Sequence, residues 1–103
     1  MYLKEIETKE IMPGLHGKII HGESMTWAFW EVEKDTKVPL HEHVNEQIMH
    51  ILEGEFEFTL MGETEIYESG SIIVIPSNEP HSGVALTPCR IMDVFSPVRE
   101  EYR

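Results

Sequence analysis

His41 and His43 stand one residue apart in the stretch Val38–Gly54, and three residues separate the second from an amide, Gln47. In an extended strand residues i and i+2 face the same way, so the two imidazoles project together. Two imidazoles converging on one point make half of a metal site. The plainer alternative is a pair of exposed polar residues at a strand end, and the pair by itself leaves both open. A third histidine, His81, opens a strand after the turn-rich segment Pro76–Pro80. Near the end of the sequence Asp93 and Phe95 share strand parity, and Arg99 follows. An inward aspartate is costly to bury unless paired or used, which makes Asp93 a candidate acid or base. Arg99 carries a two-pronged fork suited to a carboxylate. The alternative pairs Asp93 with Arg99 as a rim salt bridge and leaves Phe95 as core filling.

Short strands must carry these side chains. Lys18–Ile20 and Met25–Val32 are rich in strand formers, and Val38–His43 leads into the first histidines. Gln47–Leu52 is expected as a strand, and Glu55–Leu60 alternates cleanly, with Phe56, Phe58 and Leu60 facing the core. Met61–Thr64 closes a hairpin into Glu65–Glu68, and Ser71–Ile75, His81–Thr87 and Cys89–Ser96 complete the set. Residues Met1–Glu10 show no helical stripe, and Pro97–Arg103 reads as a tail. Many short strands without a long amphipathic helix indicate an all-β barrel or sandwich, undivided over residues 1–103.

Composition removes several function classes. Eight Lys+Arg against 19 Asp+Glu give a formal net charge of −11, which repels a phosphate backbone, so no nucleic-acid partner is expected. No apolar run approaches a membrane span and no signal-like stretch opens the sequence, so no membrane association is expected and the reading is cytoplasmic. Cys89 is the only cysteine, which excludes an intramolecular disulfide and a thiolate cluster, and it reads as a small residue filling the sheet.

Taken together, the motifs resemble those of the cupin superfamily, whose members are double-stranded β-helix or jelly-roll barrels. The first motif of that family reads here as Asp35, five residues, His41-Glu42-His43, three residues, Gln47, six residues, Gly54. The second reads as Gly70, five residues, Pro76-Ser77-Asn78, two residues, His81, three residues, Ala85. Asp35 and Asn78 replace glycines, and both residue types tolerate a left-handed turn. Ala85 replaces an asparagine, so a supporting hydrogen bond is expected to be missing. Gln47 replaces a glutamate: it can coordinate through its carbonyl oxygen without bringing charge, which would leave a bound ion a stronger Lewis acid. Glu46, of opposite strand parity, is the rival fourth ligand.

The ending Asp93-x-Phe95-Ser96-Pro97-x-Arg99 narrows the resemblance to small pectin-degradation cupins of the KdgF type, which open unsaturated uronates to linear keto sugars. That resemblance implies a metal-dependent isomerase or lyase of carbohydrate metabolism taking a small, anionic substrate. His41, His43, Gln47 and His81 would be the metal ligands, Asp93 and Arg99 the catalytic pair, and Phe95 and Arg99 the substrate contacts. The cofactor is one divalent ion: zinc or nickel for non-redox chemistry, with iron or manganese also compatible with the donor set. Two alternatives stay open, an iron-dependent dioxygenase and a non-enzymatic small-molecule binding or sensing module. Small cupins of this kind pair into homodimers, and aromatic Trp27, Phe29 and Trp30 suit such an interface, or with Tyr67 a sugar-stacking wall. His50 lies on the opposite parity from the ligand set, and His16 and His21 are assigned no role.

Overall fold

Period-two alternation decides which side chains of this chain meet. In the computed structural model, which describes residues 1–103, ten strands are laid out as β1 Lys9–Met12, β2 Leu15–His21, β3 Thr26–Val32, β4 Lys37–His41, β5 Glu46–Glu53, β6 Glu55–Leu60, β7 Glu63–Glu68, β8 Ile72–Ile75, β9 His81–Ala85 and β10 Cys89–Ser96. They form two antiparallel sheets, one of six strands in the order β1-β2-β3-β10-β5-β8 and one of four in the order β4-β9-β6-β7. The all-β jelly-roll expectation holds. Ala28, Trp30 and Val32 of β3, Met49 and Ile51 of β5, and Ile91 and Phe95 of β10 point inward from the larger sheet. Phe56 and Phe58 of β6 and Ala85 of β9 meet them from the smaller one, and Cys89 is buried as a space-filling residue.

The turns follow the residue chemistry that the motifs suggested. Asp35 and Asn78 sit at φ 68° and 62°, in the left-handed region. Met61 and Gly62, at φ 51° and 80°, close the β6–β7 hairpin as a two-residue loop of the type that suits strand twist, so β7 begins at Glu63, two residues before its expected start. The Met61 N–H donates to Pro80 O at 3.3 Å, which ties this turn to the residue before His81.

The N-terminal part is more ordered than its sequence suggests. A single 3₁₀ turn occupies Leu3–Glu5 and β1 pairs with β2 as an edge strand. β2 runs seven residues, straight through Gly17. A Cβ at Gly17 would collide with the Trp30 ring. That glycine therefore interrupts nothing; it opens room for a tryptophan that the site uses. The expected tail likewise contains a 3₁₀ turn, Glu100–Tyr102, folded back over the sheets. Turns this short leave no periodicity to read.

Candidate metal centre

Two neighbouring strands of the smaller sheet and the loop before β5 bring the three histidines together. His41 ends β4 and pairs in register with His81, which opens β9, both on the smaller sheet. His43 lies beyond the end of β4, in the loop before β5. Same-strand parity is therefore not what aligns His41 with His43; the loop turns the second ring back toward the first. Ring centroids lie 5.6 Å apart for His41–His43, 4.2 Å for His41–His81 and 4.9 Å for His43–His81, and one ligating atom from each lies within 4.8 Å of the others.

Backbone carbonyls fix the tautomers. His41 Nδ1 donates to Pro39 O at 2.8 Å, His43 Nδ1 to Asn45 O at 2.9 Å, and His81 Nδ1 to Glu79 O at 2.8 Å. A carbonyl oxygen only accepts, so each Nδ1 carries the hydrogen and each Nε2 is left with its lone pair. His43 Nε2 and His81 Nε2 are buried and have no hydrogen-bond partner. Burial lowers the pKa of both rings, that of His81 to about 4, and the nearby Arg99 charge adds to the effect. Three imidazoles oriented through Nδ1, two with orphaned buried Nε2 atoms, fit a divalent metal ion. The trio suits several first-row metals and does not choose among them.

The larger sheet supplies the rest of the cavity. Gln47 of β5 and Asp93 and Phe95 of β10 line it with the histidines, and Gln47 and Phe95 are directly paired in register. Glu46 projects from the opposite face of β5 and is exposed. Asp93 is buried. Its Oδ2 accepts from Trp30 Nε1 at 2.9 Å, while Oδ1 has no partner. Burial raises its pKa to about 7, against the pull of Gln47, Trp30 and Arg99 toward the ionised form.

Arg99 reaches the same cavity and is also buried. It does not pair with Asp93 as a rim salt bridge; its Nη2 bonds Glu101 Oε2 at 3.1 Å instead. The guanidinium lies 5.2 Å from the Phe95 ring centre and 4.8 Å from that of Tyr102, and its Nε and Nη1 are left without partners. Phe95 spans both ends of the cavity, since its ring also meets His43 edge-on at 5.9 Å.

Several contributors escape a sequence reading. Asn45 is buried, and its Nδ2 donates to the carbonyls of Pro97 and Val98, tying the first histidine loop to the segment before Arg99. His21, Thr26 and Tyr102 meet around that segment as well. The aromatic residues divide: Trp30 lines the cavity, Trp27 and Phe29 stack on the outer face of the larger sheet at 6.4 Å, and Tyr67 packs on Phe58 outside the cavity. His50 lies on the outer side of β5. His16 bonds Glu33 on the surface at 2.7 Å. Ala85 is buried, and its backbone pairs with Asp35 and Thr36 in place of any side-chain bond.

Residues 28–95 match the family model described as a cupin domain. No curated protein matches the chain. Among solved structures it is similar to KdgF from Halomonas sp., at 28% identity and TM-score 0.92 over 99% of this chain and 96% of that one. A RmlC-like cupin from Shewanella frigidimarina shares the fold at 23% identity and TM-score 0.95, covering 100% and 94% of the two chains. A salicylate 1,2-dioxygenase mutant from Pseudoaminobacter salicylatoxidans shares it at 22% and 0.77, over 82% of this chain and 27% of that one. With both motifs facing one cavity and the family model spanning most of the chain, the protein belongs to the cupin family.

Proposed function

We propose that this cupin is a metal-dependent, non-redox enzyme that opens or isomerises an unsaturated uronate or a closely similar sugar acid. One observation carries the reading: a single cavity in which three imidazoles with free lone pairs face a buried guanidinium and a buried carboxyl that both keep unpartnered polar atoms. The likeness to KdgF supports the substrate class. His41, His43, His81 and Gln47 would hold a divalent ion, zinc or nickel in preference to iron or manganese, and the ion would supply Lewis-acid polarisation of a substrate oxygen. Arg99 would hold the substrate carboxylate, with the Phe95 ring beside it keeping that contact dry. Asp93 would take a proton from a substrate hydroxyl through Oδ1 and return one to carbon, so that the reaction is a net isomerisation.

Metal analysis of protein purified without a histidine tag, followed by assay on a panel of unsaturated uronates, tests this. Asp93→Asn is expected to keep the metal and to lose turnover by roughly 10²- to 10⁴-fold. Unchanged turnover would remove Asp93 from the mechanism.

The three-histidine set also favours a second reading, an iron oxygenase. It requires iron in the purified protein and oxygen uptake with substrate, and strictly anaerobic turnover rules it out.

We infer further that two copies pair through the outer face of the six-stranded sheet. Trp27 and Phe29 stack there on β3, and exposed Ile48, Ile72 and Val74 share the face across β10, on a chain whose net charge of −11 would drive copies apart elsewhere. Ile48→Glu is expected to convert a dimer to a monomer by light scattering, and a wild-type monomer at tens of micromolar refutes the pairing.

A further inference from the structure

The segment that delivers Arg99 to the cavity is held by two parts of the chain distant in sequence. On one side Asn45 Nδ2 donates to Pro97 O and Val98 O. On the other, the Arg99 backbone N–H donates to Thr26 Oγ1 at 2.8 Å, and Thr26 is fully buried. His21 Nδ1 lies 2.9 Å from the same Oγ1, and His21 Nε2 lies 3.4 Å from Tyr102 O. The Tyr102 carbonyl can only accept, so Nε2 carries the imidazole hydrogen and Nδ1 its lone pair. In the neutral ring the Thr26 hydroxyl then donates to His21 Nδ1 while its oxygen accepts from Arg99. The three bonds form one directed chain from the Arg99 amide to the Tyr102 carbonyl.

That chain fixes the turn Glu100–Tyr102, and the turn forms a wall of the cavity. The Tyr102 ring lines it and meets Trp30 and Phe95 edge-on, at 5.4 Å and 5.7 Å. It lies against the guanidinium at 4.8 Å, next to the Phe95 ring, which flanks the same group at 5.2 Å. Arg99 is the only Lys or Arg lining the cavity. Water kept from this cation by two neighbouring aromatic rings strengthens its grip on an anion.

We propose that Tyr102 and the His21–Thr26 pair are positioning residues for Arg99: Tyr102 caps the guanidinium, and His21 with Thr26 latches the turn that carries it. This rests on the reading that Arg99 receives the substrate carboxylate. The latch itself can be tested without a substrate.

Phenylglyoxal labelling of the metal-loaded full chain, followed by peptide mapping, reads the accessibility of Arg99 separately from Arg90 and Arg103. Hydrogen exchange at the Arg99 amide reads the bond to Thr26. His21→Ala and Tyr102→Leu are each expected to raise Arg99 labelling about tenfold, with His21→Ala also accelerating the amide. Tyr102→Phe keeps the ring and His21→Gln keeps a donor near the Nε2 position, so both should stay within about threefold of wild type. Labelling that stays unchanged in His21→Ala and Tyr102→Leu overturns the proposal, whatever the activity. If labelling rises but no uronate is converted, the latch stands and the substrate reading falls. Where a uronate is converted, Tyr102→Leu should raise KM about tenfold and leave kcat within threefold. An equal loss in kcat with unchanged KM would count against the capping role.

Discussion

The cavity has two ends built on opposite principles. At the histidine end each ring is held by a carbonyl two residues away along the chain, Pro39 for His41, Asn45 for His43 and Glu79 for His81. At the acid end the holders come from far off: Trp30 bonds Asp93 across 63 positions, Thr26 bonds Arg99 across 73, and His21 reaches Tyr102 across 81. One end is local geometry repeated three times. The other exists only once the two sheets have closed. The histidine end offers buried Nε2 atoms without partners, whereas the acid end sets a buried cation and a buried carboxyl, not bonded to each other, in an aromatic frame.

The sharpest break in this comparison comes from removing one local holder of the ion. His81→Ala takes away a buried imidazole whose Nε2 has no other partner. Metal content after dialysis is expected to fall from about one equivalent to background, while Arg99→Ala retains it. Equal metal loss in both variants would mean that the two ends are not separable.

The same contrast explains what could be read from the sequence. His41, His43 and His81 sit at fixed spacings from turn residues, and Asp35 and Asn78 take the left-handed conformations that their side chains allow. Spacing also brought Gln47 into view, and burial on β5 places it in the cavity with Glu46 outside. The reason was incomplete, however, because His41 and Gln47 come from different sheets and no single strand aligns them. Most of the holders of the acid end left no signal. Trp30 looked like any aromatic strand residue, and its donation to Asp93 needs β3 beside β10 and a glycine at position 17 to admit the ring. His21 and Tyr102 lay in segments without periodicity, and their pairing is purely tertiary. For Asp93 and Arg99 the sequence leaves two readings open, an acid or base beside a carboxylate fork and a mutual salt bridge. The salt bridge does not form, since the fold gives the first to Trp30 and the second to Glu101.

A smaller effect tests whether the acid end recognises shape as well as charge. Arg99→Lys keeps the positive charge and loses the planar fork that lies against Phe95 and Tyr102. KM for an unsaturated uronate is expected to rise roughly 10- to 100-fold, with metal content unchanged, as two charge-assisted hydrogen bonds become one. A KM within threefold of wild type would reduce Arg99 to a point charge and take meaning from its aromatic frame.

The smallest effect sets the two ends against each other in a single titration. In metal-free protein, kept so by a chelator, Asp93 binds its proton with a pKa of about 7 when folded and about 4 when unfolded. The folded state is the better proton binder, so the Asp93 contribution to stability falls as pH rises across that interval. His81 runs the other way. Its pKa is about 4 in the fold and about 6.5 unfolded, so its contribution rises with pH between those values. Where the intervals overlap the slopes oppose, and each single variant should unmask the other. Relative to wild type, Asp93→Asn should gain stability by urea unfolding as pH rises from about 4 to 7, reaching on the order of 1–3 kcal/mol. His81→Asn should lose stability relative to wild type from about 4 to 6.5. Slopes of the same sign in the two variants would show that one electrostatic environment governs the whole cavity. Opposite slopes would mean that the fold stabilises a neutral base at one end and a reluctant acid at the other, the pairing that proton transfer beside a Lewis acid requires.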